Sequence, residues 1–404
     1  MTASSNKRAI IVGAGPAGLA AAEVLARAGV AVVIHDRMPN PARKFLLAGR
    51  GGLNLTHSEP LGDFLARYGA AQSSLETAIR AFTPDDLRAW CEELGIETFV
   101  GSSGRVFPKQ MKASPLLRAW LARLADLGVQ LVTRSRWAGW NEDALTFETP
   151  DGPRTEYADV ALFALGGASW PRLGSDGSWV KAFSARGVNI VPMKPANSGF
   201  MASWSDVFRD RFAGNPIKAA HFAHGAVEAN GDAIITQAGI EGGAIYALSS
   251  ALRDRIDREG HADLVIDMTP NLTAGELARK IASAPSGTST ANRLRRAGIS
   301  PAAAGLLRER RGGPGLPNDA AELAALIKAC IIPLTGVAPI DRAISVAGGI
   351  SWSSLNADYS LKADPRTFAA GEMLDWEAPT GGYLLQACFA TGRAAAHGML
   401  VRLG

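Results

Sequence analysis

A run of closely spaced glycines near the amino terminus, Gly13-Ala14-Gly15-Pro16-Ala17-Gly18, restricts the possible folds of this chain more than any other feature. The apolar, β-branched run Arg8 to Val12 precedes it, an alanine-rich stretch with helical spacing follows to about Ala28, and a second apolar run covers Val30 to Ile34. Together these read as strand, turn, helix and strand. In that setting the three glycines have separate roles. Gly13 permits the tight turn, Gly15 lets the backbone approach a pyrophosphate, and Gly18 lets the helix press on the strand. The helix then starts with unpaired N–H groups aimed at negative charge. Asp36, with Arg37 beside it, ends the second strand, where a carboxylate can accept hydrogen bonds from the hydroxyls of an adenosine ribose. His35 reads as an ordinary strand residue.

Bulk properties narrow the classes further. With 404 residues, 47% of them hydrophobic, the chain can bury more than one core. Lys7 and Arg8 before the apolar stretch Ala9 to Ile34 superficially suggest a signal peptide or membrane span, but Glu23, Arg27 and the glycines interrupt it, so no membrane partner is expected. The 42 basic and 38 acidic residues leave a net charge of only +4, which implies no nucleic-acid partner. Arg308, Arg310 and Arg311, next to Gly312, Gly313, Pro314 and Gly315, read as a solvated turn. Cys91, Cys330 and Cys388 are too scattered for a disulfide framework or a Cys-x-x-Cys pair, so a reducing, cytoplasmic setting is expected. No metal site is expected, since His221 and His224 lack further ligand residues nearby.

The apolar run Val160 to Leu165, ending at Gly166-Gly167, has the character of a buried parallel strand. Helical segments and connections fill residues 60 to 127, and Val129 to Trp140 and Ala144 to Thr149 read as strands. From about Pro192 prolines punctuate short strand-like runs, with helical stretches such as Ala244 to Arg258 and Ala320 to Ile331 later. We therefore place an inserted substrate-side domain at 192–340 and a discontinuous first domain at 1–191 and 341–404. In the returning segment Ala343 to Val346 and Thr367 to Ala370 read as strands, and Gly381 to Leu403 as a long helix with small residues on one side.

That returning segment points to FAD rather than to a nicotinamide as the resident cofactor. A nicotinamide site is usually completed within one contiguous domain, whereas the flavin end of FAD needs residues from elsewhere. Gly371-Glu372 follows a strand, and Glu372 can bond the ribityl chain or a phosphate-linked hydroxyl. Gly381-Gly382-Tyr383 opens a helix, offering N–H groups and a positive dipole end to the electron-rich pyrimidine edge of a reduced flavin.

The chain resembles, over nearly its whole length, the bacterial BaiN/YhiN-like NAD(P)/FAD-dependent oxidoreductases, distant relatives of the glutathione-reductase-type flavoproteins. The resemblance rests on residues 13–18; on Lys44-Phe-Leu-Leu-Ala-Gly-Arg-Gly-Gly-Leu-Asn-Leu-Thr56; on Gly104-Arg-Val-Phe-Pro108 with Lys112-Ala113; on Ala164-Leu-Gly-Gly-Ala-Ser-Trp-Pro171; and on Ala370-Gly-Glu-Met-Leu-Asp375 with Gly381-Gly-Tyr-Leu-Leu-Gln386. It implies that the segment from Lys44 lies over the flavin with Gly51, Gly52 and Asn54 near the cofactor, that Gly166 ends a strand beside it, and that the insert is partly a β-barrel. The implied fold class is α/β, a Rossmann-like FAD-binding domain assembled from both chain ends with an inserted α+β domain. Two departures stand out. Where the family has Gly-Gly-Gly-Arg-Cys-Asn, this chain has Gly49-Arg50-Gly51-Gly52-Leu53-Asn54, which removes a thiol; where it has Thr-His-x-Gly-Ile-Ser-Gly-Pro, residues 236–243 read Thr-Gln-Ala-Gly-Ile-Glu-Gly-Gly, which removes a histidine. Both imply a separate branch with its own substrate.

The expected function is FAD-dependent oxidation or reduction of a small flat or apolar substrate held between the two domains, with non-covalent FAD and with NADH or NADPH as a transient reductant. No second glycine fingerprint marks a nicotinamide site, and no catalytic acid or base stands out, because the flavin carries the chemistry itself. Tyr383 is a candidate proton donor or a packing residue, and Trp352, Trp376 and Tyr383 are candidate pocket walls or core. Two rival classes share the frame: a non-catalytic flavin-binding sensor or assembly partner, and a flavin-dependent RNA-modifying enzyme, against which the small net charge counts.

Overall fold

The computed structural model describes residues 7–310, 312, 313 and 315–404. Two compact units result: residues up to Lys194 joined by Ser345–Gly404, and Pro195–Ile344. Arg311 and Pro314 of the basic turn lie outside the described residues.

In the first unit β1 (Arg8–Val12), α1 (Pro16–Arg27) and β2 (Ala31–Asp36) form the expected opening unit. They are followed by α2 (Arg43–Ala48), α3 (Ala113–Asp126), β3 (Gln130–Thr133), β4 (Val160–Phe163), β5 (Thr367–Ala369) and α4 (Tyr383–Leu403). The five strands make one parallel sheet in the order β5-β4-β1-β2-β3. Ile11 sits opposite both Leu162 and Ile34, and the central strands are apolar at successive positions because a parallel sheet is covered on both faces. β5 comes from the returning segment, so the sheet is assembled from sequence near both ends of the chain. α4 lies on α1, and the contact needs Gly392: a Cβ there would fall 2.2 Å from the Ala17 carbonyl oxygen.

Several element boundaries differ from the sequence reading, each for a local reason. The stretch 129–140 is two strands, β3 and Arg136–Asn141, the second opening a three-stranded antiparallel meander with Ala144–Thr149 and Gly152–Glu156. Residues 60–127 are not wholly helical: Thr56–His57, Arg105–Pro108 and Thr98–Val100 pair as a small sheet. The last helix starts at Tyr383 because Gly381 and Gly382 have φ of 146° and 96°, outside helical space. The strand expected at Ala343–Val346 runs Ser345–Ile350, after a 3-10 turn at Ile340–Arg342.

The second unit is a closed six-stranded barrel in the order Phe200–Ala202, Gly239–Glu241, Val227–Ile235, Pro216–His224, Ala262–Asp267, Cys330–Val337. Four helices, Ala274–Ala282, Thr290–Arg296, Pro301–Glu309 and Ala320–Lys328, connect its last two sequential strands. The helix expected from Ala244 to Arg258 breaks at Leu248, whose N–H turns back to the Ile245 carbonyl (3.1 Å) and separates Gly243–Ala247 from Ser249–Glu259. Arg308 is helical rather than in a turn, because Ser300 caps the Ala303 N–H and Pro301 sets the first helical position.

Candidate cofactor site

The glycine loop shows a division of labour. Gly13 has a φ of 108°, and a Cβ on it would fall 2.4 Å from the Ala164 carbonyl oxygen; a Cβ on Gly18 would fall 2.0 Å from that of Gly13. Both are glycine because protein backbone occupies the space. Gly15 differs: its φ of −82° suits any residue, and nothing lies within 4 Å of where its Cβ would be. Its bareness serves something other than the protein's own packing. α1 begins here with Pro16 at its first position, no side-chain cap and no acidic residue in its first turn, so its leading N–H groups are uncommitted.

Asp36 closes the loop from the strand side. Its two carboxylate oxygens accept from the N–H groups of Ala14 and Met38, each at 2.8 Å, and keep lone pairs for a further donor. Burial raises its pKa, and these bonds only partly oppose that. Arg37 ion-pairs with Asp176 at 2.5 Å and bonds the Pro171 carbonyl, anchoring the segment that carries Ser175. Burial raises the Asp176 carboxyl, but bonds from Arg37 and Ser178 prevail and hold it below its usual range.

Lys44 from α2 and Glu372 after β5, 328 residues apart, meet in one ion pair at 2.7 Å, and the same ammonium donates to Ser169 Oγ at 2.7 Å. Gly13, Gly15, Asp36, Lys44, Gly166 and Glu372 line one cavity of about 130 Å³, below the rough 300–1,000 Å³ range of small-molecule sites. Pro16, Ala17, Arg37 and Gly371 also border it, whereas Ala14 and Gly18 lie behind in the loop.

Gly51, Gly52, Asn54, Gly381, Gly382 and Tyr383 do not border that cavity; Gly381, Gly382 and Tyr383 open α4, whereas a Cβ on Gly52 would fall 2.7 Å from Met111 Cε. A Cβ on Gly382 would fall 2.4 Å from Thr56 Cα, so this glycine admits the neighbouring strand. Tyr383 stands nine residues before Gly392, the residue that touches Ala17, which is about 13 Å along the helix at 1.5 Å per residue. The Tyr383 hydroxyl donates to Glu59 Oε1 at 2.5 Å, and the Tyr383 carbonyl accepts from Tyr68 Oη at 2.8 Å. Burial, and then the Glu59 carboxylate, push its pKa well up, so this phenol stays protonated, with its hydroxyl committed to Glu59. Trp352 and Trp376 donate to the carbonyls of Asp375 (2.6 Å) and Gly371 (2.9 Å) and pack in the core, not along the cavity.

Among the cavity residues that escape the sequence reading are His35, Ser175 and Cys388. His35 lines the cavity fully buried, stacked on Phe147 (centroids 3.8 Å apart) with Nδ1 2.8 Å from Ser135 Oγ; burial lowers its pKa. Its position next to Asp36 is the one signal the sequence holds for it. Ser175 is buried, borders the cavity, and among the described residues its Oγ has no hydrogen-bond partner. Cys388 supplies a thiol from α4, and burial pushes it up to about 12, so it stays protonated at neutral pH. Among the described residues no group of three or more His, Cys, Asp or Glu could hold a metal ion, and no helix is long and apolar enough to cross a membrane.

Comparison with protein families matches residues 7–398 to the HI0933-like protein Rossmann domain. The chain belongs to this FAD-binding oxidoreductase family. It is 24% identical over 267 residues to the ribosomal RNA dihydrouridine synthase of Haemophilus influenzae, covering 65% of this chain and 64% of that protein. It is 27% identical over 188 residues to the Escherichia coli K12 protein of the same name, covering 46% of each. The chain thus spans less than two thirds of the length of these curated relatives. The solved structure of 3-ketosteroid Δ1-dehydrogenase from Sterolibacterium denitrificans, in complex with 1,4-androstadiene-3,17-dione, has a TM-score of 0.55 at 11% identity, covering 97% of this chain and 99% of that one, and shows the fold alone. The residues present fit FAD: Gly15 faces open space, α1 and α4 start without side-chain caps, and among the described residues Ser175 Oγ and Asn54 Oδ1 are buried acceptors without partners.

Proposed function

We propose that this flavoprotein transfers a hydride equivalent from NADH or NADPH to a small flat unsaturated ring, and that the ring is a uracil base of RNA. The observation that carries the cofactor half is Gly15, a loop residue kept bare toward an open cavity although the protein itself leaves room for a side chain. Support for the substrate half is the activity named for the Haemophilus influenzae and Escherichia coli relatives. The expectation of no nucleic-acid partner rests on whole-chain net charge, a quantity blind to where the charge sits.

Gly15 and the first turn of α1 would hold the pyrophosphate, Asp36 the adenosine ribose, Lys44 with Glu372 and Ser175 the ribityl arm, and Asn54 with the first turn of α4 the flavin ring. FAD, when bound, supplies two-electron transfer between nicotinamide and acceptor. In the net reaction the 5,6 double bond of uracil gains one hydride and one proton, and the reduced nicotinamide becomes its oxidised form. The protein's own contribution is placement: Tyr68 and Glu59 fix Tyr383 at the head of α4, and the Lys44–Glu372 pair joins two distant segments at the cavity.

The experiment is incubation of the purified flavoprotein with ribosomal RNA and NADH or NADPH, followed by nucleoside mass spectrometry. A dihydrouridine signal that requires both protein and reductant is expected. Flavin bleaching by the nicotinamide without a product in RNA would remove uracil as substrate and leave the oxidoreductase; no bleaching by either nicotinamide would favour the non-catalytic flavin sensor.

A further inference from the structure

We infer that the helical lobe on the barrel, residues 274–310, is a docking surface for the phosphate backbone of structured RNA. This rests on the reading of RNA as substrate. The segment holds seven Lys and Arg against only Glu276 and Glu309, a surplus larger than the +4 of the whole chain. The remainder of the protein is therefore near neutral or acidic, and the basic charge is concentrated in three consecutive helices.

The acidic pair is held at helix caps, although Glu276 also feels the charges of Arg279 and Lys280. Glu276 is committed to its own helix cap, accepting from the Thr273 N–H and Oγ1 at 2.8 Å each, and Glu309 accepts from the Ser205 N–H and Oγ at 2.7 Å each. Two of the cations are struts: Arg293 donates to the Asn318 carbonyl, and Arg310 to those of Leu307, Gly313 and Gly315. Arg279, Lys280, Arg295 and Arg296 are exposed and, among the described residues, make no hydrogen bond or ion pair through their side chains. Arg308, also exposed, bonds among the described residues only a carbonyl of its own helix.

A blander account is that basic residues at helix C-termini complement the helix dipole. That dipole amounts to roughly half a charge at each end, which a single cation per helix would meet; two helices instead end in pairs, Arg279-Lys280 and Arg295-Arg296. Membrane binding would require the apolar side of a basic helix to be free. Here Leu277, Ile281, Leu294, Leu306 and Leu307 are fully buried in the lobe's core, and the segment contains no aromatic residue. Without aromatics there is no platform for stacking bases, so the contact is to phosphates and carries position rather than sequence.

The test uses the full-length flavoprotein, deproteinised ribosomal RNA, and two double variants, Arg295→Gln/Arg296→Gln and Arg279→Gln/Lys280→Gln, with flavin content as the control for folding. Wild type should bind with an affinity that falls steeply with salt. Each double variant should lower the slope of log affinity against log salt by about 1.4 to 1.8, so that its deficit narrows about tenfold between roughly 50 and 200 mM salt. Wild-type binding with unchanged slopes in both variants would overturn this surface and leave RNA as the substrate. Absence of salt-sensitive RNA binding by wild type, with no dihydrouridine formed, would overturn the substrate reading and this surface with it.

Discussion

Replacing Gly15 by valine separates the cofactor's requirements from those of the fold. At φ −82° and ψ 179° the position accepts a side chain without backbone strain, and no atom lies within 4 Å of the new Cβ. The remaining cost is that of a poorer residue at a helix N-cap, about 1 kcal/mol, which lowers the melting temperature of a unit this size by about 2–4 °C. Bound FAD at a hundred times its dissociation constant stabilises wild type by about 2.7 kcal/mol, so adding it to the apoprotein should raise the midpoint by about 5–11 °C. In Gly15→Val that rise should vanish, because the side chain occupies the pyrophosphate's place. Gly18→Ala should behave in the opposite order: its Cβ would lie 2.0 Å from the Gly13 carbonyl oxygen, so the apoprotein itself loses about 1–3 kcal/mol or more. Thermal melts of both apoproteins with and without FAD, with quantification of released flavin, decide it. A yellow Gly15→Val protein carrying a full complement of FAD would exclude the pyrophosphate from this position.

Three further outcomes follow from the geometry. Glu372→Gln breaks the ion pair to Lys44 while keeping its shape, and FAD affinity by fluorescence titration should fall roughly 10- to 150-fold, a charged hydrogen bond contributing roughly 1.5–3 kcal/mol; unchanged affinity would detach the pair from the cofactor. Tyr383→Phe should cost stability but change turnover less than tenfold, against the 10²- to 10⁴-fold loss expected roughly for a removed general acid. Glu23, buried in α1, accepts from the indole N–H groups of Trp90 (3.0 Å) and Trp120 (2.9 Å) and from Arg27 and Arg123. Burial raises its carboxyl, and the hydrogen bonds outweigh that, leaving its pKa below 4.5. A lowered folded-state pKa contributes stability that is present above 4.5 and lost as pH falls through the lower folded value, so Glu23→Gln should be less stable at neutral pH and show a flatter acid limb in urea melts across that window; an identical limb would contradict the assignment.

The opening strand–turn–helix–strand was readable because the glycines, the β-branched run and the terminal Asp36 agree, and local sequence dictates that unit. The meeting of Lys44 with Glu372 is not legible in the sequence, since nothing local links residues 328 apart; the resemblance implies only that the segment from Lys44 lies over the flavin. Ser175 left no trace, because a serine in a polar loop acquires meaning only from the Arg37–Asp176 anchor that tertiary structure creates. His35 reads from the sequence as an ordinary strand residue, although Phe147 of the meander and Ser135 just before it clamp its ring at the cavity. The barrel lobe's charge was hidden by averaging over the chain, and Arg308 was read as loop because the glycines after it outweighed the Ser300-Pro301 helix start before it.

If the helix starts at Gly15 and Tyr383 grip one elongated cofactor, the protein should leave the purification column coloured. The deciding experiment is the visible spectrum of the freshly purified protein, followed by denaturation and chromatographic identification of the released nucleotide. A flavin spectrum and release of FAD, near one per chain, is expected. A colourless protein that takes up no added FAD, or one that releases FMN alone, would show that the two helix starts do not share a dinucleotide.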